Sequence, residues 1–326
     1  MKKKLIITAD DYGLSENVNK GTIKAVEKGT VTSVHVLTNM ASDQDILDLA
    51  AAIRESGNKC GIGLHLNMNE GESMRNRSTT ITRLNKESKK YEFYPISEYN
   101  YDDTNGNDVI KELEKQYKKL DRLIGAANID SISSHYNLHV FSKKFVNYVQ
   151  QLAKRHNTPL RSPVQWRTIF QKPKTNKYHP LELSKIGWNT RKNCQYRSTK
   201  KLLLNAANGK RLKKHRKKLQ KVGPVPNNTS GHWMGQPGLD KLKWTYNELK
   251  NDINVNSYCT EIFLHLSNSD EWSGKPLTYP MSRRLEEFNE ITSEDVVNFC
   301  ANLYRNDNHV ELGSYRKLLC GQSITY

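Results

Sequence analysis

Short apolar runs alternate with amphipathic stretches along the first half of the chain. Residues 5–9 have the pattern of a buried β-strand, and a helical pattern follows over 15–28. Further strand patterns lie at 31–39 and 60–68, on either side of a helical pattern at 43–56. Strands that alternate with helices in this way predict an α/β fold with parallel strands and right-handed crossovers.

The alternation is interrupted twice. Residues 69–107 are polar and irregular, which predicts a long excursion, and the regular pattern stops again from about 163 to 257. Outside these stretches the pattern predicts strands at 129–140, from 159 onward and at 259–266, and helices at 108–125, 143–155 and 293–304. We therefore expect a single domain, residues 1–326, that contains an insertion at about 165–255.

This insertion carries most of the excess positive charge. The chain has a formal charge of +17, and 14 lysines and arginines but no acidic residue lie between positions 185 and 221. One interpretation is a solvated excursion, with a basic helix at 200–220, that packs at an oligomer interface such as that of a homodimer. The other is a surface for an anionic glycan, because tryptophans and tyrosines accompany the charge. Nucleic acid is disfavoured as a partner, since no nucleic-acid-binding module is recognisable.

The remaining composition favours a cytoplasmic protein. Five dispersed cysteines with no CxxC pair indicate reduced thiols rather than a disulfide framework or a cysteine zinc site. The chain begins Met-Lys-Lys-Lys, but the apolar run that follows ends at Asp10 and is too short for a secretory signal. No apolar run approaches the ~20 residues of a membrane span.

Polar side chains follow the apolar runs where the predicted strands end. They are Asp10 and Asp11 in the first strand, His65 in the third, His135 and His139 in the fourth, and His265 in the last. Taken singly, each fits an ordinary turn or a hydrogen-bonded core histidine. Because the carboxyl ends of parallel strands converge in one sheet or barrel, we expect the six side chains to lie close together.

Such a group suits metal-assisted hydrolysis. One carboxylate and two neutral imidazoles can hold a divalent ion with positions left open for water and substrate. A second carboxylate can act as general base on the metal-bound water, and a further histidine as general acid. The bond cleaved could be that of an amide, an ester or a phosphoester. An aspartic-protease pair is disfavoured because adjacent residues of an extended strand point to opposite faces, and no GxSxG motif supports a serine triad.

Five motifs in order resemble the YdjC-like family of carbohydrate deacetylases, to which the chitooligosaccharide deacetylases belong. They are Thr8-Ala-Asp-Asp-Tyr-Gly-Leu-Ser15, Val31-Thr-Ser-Val-His-Val36, Gly63-Leu-His-Leu-Asn-Met-Asn-Glu-Gly71, Ser134-His-Tyr-Asn-Leu-His139 and Leu312-Gly-Ser-Tyr315. The resemblance covers residues 1–161 and about 258–326. It implies a distorted, TIM-like (β/α) barrel fold. It also implies an enzyme that removes N-acetyl groups from acetylated sugars or oligosaccharides with a divalent metal ion, Mg²⁺ or Zn²⁺.

The resemblance also implies three sets of functional residues. The metal ligands would be Asp11, His65 and His135, the catalytic residues Asp10, Arg161 and His265, and the substrate-binding residues His139, Asn67 and Glu70. Within the catalytic set, Asp10 would be the general base, Arg161 would orient it, and His265 would be the general acid.

Three positions depart from the family pattern. The family typically reads Asp-Ser-His-x-His-x-His, whereas this chain has Ser133 for the aspartate and Asn137 for the middle histidine, and Leu266 replaces a common proline. None is an implied ligand, so metal binding is expected to survive with weaker support around the ligands. The alternative function is a non-catalytic glycan- or nucleic-acid-binding protein on the same scaffold, which would use the basic insertion.

Overall fold

The protein has an α/β fold, seen here in a computed structural model. The structure describes residues 2–57, 59–94, 105–137, 143–161, 228–232, 238–251, 259–274 and 279–320. Most of the predicted basic insertion, including the basic helix predicted at 200–220, lies outside these residues.

Nine strands form two sheets in the described part of the chain. They are β1 (Lys3–Tyr12), β2 (Ser33–Val36), β3 (Gly61–Leu66), β4 (Thr82–Leu84), β5 (Tyr91–Phe93), β6 (Ile129–Ser134), β7 (Asn228–His232), β8 (Cys259–His265) and β9 (Val310–Leu312). β4 and β5 form an antiparallel hairpin. The other seven form one sheet in the order β6-β3-β2-β1-β8-β7, and β9 pairs with the amino-terminal end of β1.

The described α-helices connect and cover these strands. They are α1 (Glu16–Glu27), α2 (Asp43–Glu55), α3 (Gly106–Ile124), α4 (Lys143–His156), α5 (Gly238–Asn251), α6 (Met281–Ile291) and α7 (Glu294–Asn306). α1 begins after Ser15, whose side chain accepts a hydrogen bond from the backbone of Val18. α2 begins after Ser42, which forms a capping box with Asp45. The first two predicted crossover helices are thereby confirmed.

β1 is at the centre of the sheet. Leu5, Ile6, Ile7 and Ala9 are fully buried, as expected of a strand that is covered on both faces. β1 pairs in parallel with β2 on one side and β8 on the other. The pairing with β8 places Asp10 beside His265 at the carboxyl ends of the two strands. The parallel sheet predicted from the pattern is therefore confirmed.

The sheet is strongly curved. On the outer side of β6, Leu160 forms a parallel bridge with Ile132, at the position where the sequence predicts a further strand. The guanidinium of the next residue, Arg161, lies 2.8 Å from Glu261 on β8. In a flat sheet the five strand spacings between these positions would separate them by about 24 Å. The contact therefore requires the strands to curve around a shared interior. Closure into the predicted barrel would need pairing by residues outside the described ranges, so the closed barrel stays a prediction.

β1 contains a bulge at its carboxyl end. Its register with β2 shifts between Ala9 and Tyr12, and Asp11 has a φ of 68°, in the left-handed region. A bulge breaks the alternation of side chains along a strand. Asp10 and Asp11 can therefore both serve one interior, although in a regular strand they would point to opposite faces.

Several elements differ from the predicted pattern. The excursion predicted at 69–107 contains the β4–β5 hairpin, and the insertion region contains β7 and α5. The segment before the hairpin is anchored on α3 by the buried carboxylate of Glu112, which accepts hydrogen bonds from Ser73 Oγ at 2.7 Å and the Met74 backbone at 3.2 Å. A polar anchor of this kind leaves no apolar periodicity in the sequence. None of the described helices is both long and apolar enough to cross a membrane.

Candidate metal centre

The carboxyl edge of the sheet brings most of the predicted site residues together. Asp10 and Asp11 lie near the end of β1, His65 near the end of β3, His265 at the end of β8, and His135 directly after β6 in a single 3-10 turn. These five residues are between 1% and 8% exposed. The sixth predicted side chain, His139, lies outside the described residues.

Three donor atoms converge on one point. Asp11 Oδ1 lies 2.8 Å from His135 Nδ1 and 3.2 Å from His65 Nε2. Among the described residues, this buried oxygen has no partner with the geometry of a hydrogen bond. A cation would satisfy all three atoms at once, and a carboxylate with two imidazoles is a usual donor set for Zn²⁺ or a related ion. The three predicted ligands therefore fit a divalent metal ion.

In two of these side chains, the oxygen or nitrogen that faces away from the convergence point contacts a neighbouring residue. Arg284 on α6 donates from Nη2 to Asp11 Oδ2 at 2.7 Å, which leaves Oδ1 facing the two histidines. Ser133 Oγ lies 2.6 Å from His65 Nδ1, which leaves Nε2 on the inner side. Partners of this kind orient the ligands of a metal site and select their tautomers.

Asp10 is held next to the convergence point by Arg161. The guanidinium donates from Nη1 to Asp10 Oδ2 at 2.7 Å and from Nη2 to Oδ1 at 2.8 Å, while His35 Nδ1 lies 3.0 Å from Oδ1. On its other side, Arg161 Nε donates to Glu261 at 3.0 Å. The contact that the resemblance implied between Arg161 and Asp10 is present. The Arg161 guanidinium thus lies between two buried carboxylates, those of Asp10 and Glu261.

The surrounding charges keep both aspartates ionised. Burial by itself raises the pKa of Asp10, but Arg161 and two nearby histidines hold it well below its usual range. Burial is likewise outweighed at Asp11, chiefly by His135 and the guanidinium beside it, so the pKa of that carboxyl is also well below its usual range. At His35, burial and the charge of Arg161 lower the pKa to about 4, so the ring is neutral near pH 7.

A second cluster, Asp10, His35 and His65, also has side chains that could hold a metal ion. Arg161, however, already donates to both oxygens of Asp10, and a cation there would be repelled by the guanidinium. His35 Nε2 is also within 2.7 Å of Ser131 Oγ. The first cluster is therefore the better candidate for the metal.

His265 lies beside the candidate centre. Its Nε2 is 3.9 Å from Asp11 Oδ2, and its ring packs against Tyr279 with the centroids 4.9 Å apart. The backbone of His265 donates to Glu287 Oε2 at 2.6 Å. Burial raises the pKa of Glu287 to about 8, although this N–H and the Tyr279 hydroxyl favour the ionised form.

The free energy of unfolding is expected to fall as the pH rises from about 4.5 to about 8, because folded Glu287 resists an ionisation that the unfolded chain permits. The contribution is fully present below the unfolded pKa and is lost by the time the folded carboxyl ionises. In Glu287→Gln this component is removed, so the variant should lose less stability across the window, by on the order of 1 kcal/mol per pH unit. Urea unfolding at several pH values measures the difference. The exposed neighbour substitution Glu286→Gln is the control, and parallel profiles for wild type and Glu287→Gln would contradict the prediction.

Two of the predicted substrate-binding residues, Asn67 and Glu70, lie in the loop after β3. Asn67 is fully buried, and its Oδ1 accepts hydrogen bonds from the backbones of Asn69 and Glu70 at 3.0 and 3.2 Å. Its Nδ2 donates to the Glu70 carbonyl at 2.9 Å. The Asn67 amide therefore organises the loop after β3, while Glu70 reaches His135. Contact of these residues with substrate stays a prediction.

Comparison with known proteins agrees with the motif pattern. Residues 4–302 match the family described as YdjC-like protein, a range that includes every side chain of the candidate centre. The chain belongs to the YdjC-like family.

Relatives in this family have names that describe an activity. A carbohydrate deacetylase from Clostridium beijerinckii is 30% identical over 159 residues, which is 48% of this chain and 59% of that protein. A chitooligosaccharide deacetylase from Klebsiella pneumoniae is 30% identical over 148 residues, 44% of this chain and 53% of that protein. The chain thus spans less than two thirds of the length of these curated relatives.

A solved structure extends the comparison to nearly the whole chain. A protein from Enterococcus faecalis, described as a candidate cellobiose-phosphate cleavage protein, superposes with a TM-score of 0.64 at 21% identity and covers 98% of this chain and 100% of its own. At this identity the likeness shows a common fold.

One departure from the YdjC-like pattern has a visible structural consequence. Ser133, where the motif resemblance leads us to expect an aspartate, places its hydroxyl 2.6 Å from His65 Nδ1 and 2.8 Å from His35 Nδ1. A neutral hydroxyl therefore contacts both rings in place of a carboxylate. The side chain of Asn137, the second departure, lies outside the described residues.

Four residues around the centre were not predicted from the sequence. They are His35, Glu261, Arg284 and Glu287. His35 and Glu261 could have been recognised, since each is an ionisable side chain in a largely apolar, buried strand and needs a buried partner. Arg284 and Glu287 lie in a strongly charged helix, where nothing in the sequence distinguishes a buried charge from an exposed one.

Proposed function

We propose that the protein is a metal-dependent hydrolase that removes N-acetyl groups from acetylated sugars or oligosaccharides. The observation that carries the proposal is the convergence of Asp11 Oδ1, His65 Nε2 and His135 Nδ1 beside a second, arginine-held carboxylate. The names of the family relatives supply the substrate class, an acetylated carbohydrate. The geometry supports a hydrolytic reaction, because a candidate cation site lies beside a separate carboxylate that could accept a proton.

The donor set favours Zn²⁺ or a related transition-metal ion over Mg²⁺. Imidazole nitrogens suit zinc, whereas magnesium prefers an all-oxygen environment and keeps several waters. Asp11, His65 and His135 would hold the ion. When bound, it would polarise the acetyl carbonyl and make a neighbouring water more acidic.

The residues around the ion would move and hold the protons. Asp10 is ionised at neutral pH, which is the form that a general base needs, and Arg161 and His35 fix the direction of its oxygens. His265, next to Asp11 Oδ2, would donate a proton to the departing sugar nitrogen. The burial of all these groups limits their contact with bulk solvent and strengthens the electrostatic interactions among them.

Removal of the metal is expected to abolish acetate release from N-acetylglucosamine oligomers, and Zn²⁺ should restore it more fully than Mg²⁺ at equal concentration. The physical reason is that two of the three ligands are imidazoles. The measurement is enzymatic detection of acetate before and after chelator treatment and metal addition. His135→Ala, which removes one ligand, should not be rescued by either ion.

Acetate release that survives chelation, or that is undiminished in His135→Ala, would contradict the metal-dependent mechanism. Binding of the oligomer without acetate release under any metal condition would instead support the non-catalytic alternative.

A further inference from the structure

The loop after β3 brings a second carboxylate to His135. Glu70 Oε2 lies 3.3 Å from His135 Nε2, on the opposite side of the ring from the nitrogen that faces Asp11. The carboxylate side chain is 24% exposed, and the imidazole is 7% exposed. The ring therefore lies between two acids, and each of its nitrogens is close to one of them.

The other oxygen of Glu70 is held by the residue that follows His135. Tyr136 donates its hydroxyl to Glu70 Oε1 at 2.7 Å, and its ring is tilted over His135 with the centroids 4.3 Å apart. This arrangement depends on an unusual backbone, because Tyr136 has φ 53° and ψ 20°. A bulky side chain in the left-handed region is uncommon and costs roughly 1–2 kcal/mol. Strained backbone conformations cluster at functional sites, so this conformation next to a candidate metal ligand indicates a functional constraint on Tyr136.

The backbone of Glu70 is fixed as well. Asn67, which is fully buried, accepts the N–H of Glu70 at 3.2 Å and donates to its carbonyl at 2.9 Å. Glu70 is therefore held at its backbone by Asn67 and at its carboxylate by Tyr136. Contacts on both its backbone and its carboxylate indicate that Glu70 has a fixed position, which suits a structural role beside His135.

We propose that Glu70 is a positioning residue for the metal, acting through His135. With its carboxylate 3.3 Å from His135 Nε2, Glu70 favours the tautomer that carries its hydrogen on Nε2 and leaves the Nδ1 lone pair facing the metal position, together with Asp11 Oδ1 and His65 Nε2. Tyr136 holds Glu70 in place. This inference rests on the proposed metal-dependent function, and it assigns Glu70 a role that is separate from the predicted substrate contact.

The same principle applies to each of the three ligands. Arg284 fixes the outer oxygen of Asp11, and Ser133 contacts the outer nitrogen of His65. Glu70 is the carboxylate among these partners, and a carboxylate both orients an imidazole and makes it a stronger donor to a metal. Glu70 should therefore have a measurable effect on metal affinity even though it makes no contact with the metal.

The test is calorimetric titration of Zn²⁺ into the protein, residues 1–326, after removal of bound metal by a chelator. Glu70→Gln is expected to weaken Zn²⁺ affinity by roughly 10–100-fold, which is the usual effect of losing such a partner. Tyr136→Phe should weaken it less, and should have little further effect in the Glu70→Gln background because the two residues act through one contact. Glu72→Gln is the matched control. It changes a carboxylate in the same loop that is 45% exposed and paired with Lys90, and it should leave the affinity unchanged.

Thermal unfolding of the metal-free variants shows whether a loss of Zn²⁺ affinity comes from a loss of folding. Glu70→Gln retains the size of the side chain, so we expect its unfolding temperature to stay close to that of the wild type. Wild-type Zn²⁺ affinity in Glu70→Gln, with or without a raised KM for the oligomer, would overturn the positioning role and leave the proposed function intact. Equal Zn²⁺ affinity in the wild type and in Asp11→Ala would overturn the proposed function and this inference together.

Discussion

Replacing Arg161 with methionine is expected to lower the free energy of unfolding by about 3–5 kcal/mol. The guanidinium is only 2% exposed and lies between Asp10 and Glu261, with hydrogen bonds to both carboxylates. Methionine fills a similar volume but leaves two buried negative charges without a counterion. Urea unfolding of the metal-free protein gives the value directly.

Two further variants define this effect. The double variant Arg161→Met/Glu261→Gln should be more stable than the single variant, because one of the two uncompensated charges has been removed. Arg122→Met, which removes a side chain that is 61% exposed in its pair with Asp43, should leave unfolding nearly unchanged. Equal losses in Arg161→Met and Arg122→Met would show that the buried arrangement contributes little to stability.

Asp10→Asn is expected to reduce acetate release by roughly 10²–10⁴-fold, the usual contribution of a general base. The amide is close in shape to the carboxylate but cannot accept the proton. Since Asp11, His65 and His135 are unchanged, Zn²⁺ affinity should stay within a few-fold of wild type. Steady-state rates and metal titration on the same preparation measure both quantities.

The comparison variant for Asp10→Asn is Asp11→Asn, which should lose metal affinity as well as turnover. Asp10 and Asp11 would then be separated by function although they are adjacent in sequence. Turnover at the wild-type rate in Asp10→Asn would exclude Asp10 as the base, and a matching loss of metal affinity in both variants would place Asp10 among the ligands instead.

The amino-terminal half of the fold could be predicted because its signals are local. The run from Leu5 to Ala9 is apolar enough to require burial, and Ser15 and Ser42 mark the starts of α1 and α2. Parallel strands send their carboxyl ends to one edge. That rule is why residues as distant as Asp11 and His265 could be expected at one site before their contacts were known.

What surrounds these residues depends on contacts that have no local signal. The guanidinium of Arg284 meets Asp11 across 273 positions, and Arg161 meets Glu261 across 100. The hairpin strands β4 and β5 have three residues each, too few to show a periodicity. The resemblance to a family motif assigned Glu70 to the substrate-binding residues, which stays a prediction. Its contact with His135 could not be predicted, because it depends on a positive φ at Tyr136 that no residue type signals.

The bulge in β1 limits how the metal centre can be altered. Aspartate and asparagine tolerate a left-handed backbone better than most other side chains, so Asp11, with its φ of 68°, has few substitutes. Asparagine would keep the backbone but lose the charge, while glutamate would combine a poorly tolerated backbone conformation with a longer side chain. His65 and His135 have no such restriction, since neither has a positive φ. Redesign of this centre for another metal should therefore keep residue 11 and vary the two histidines.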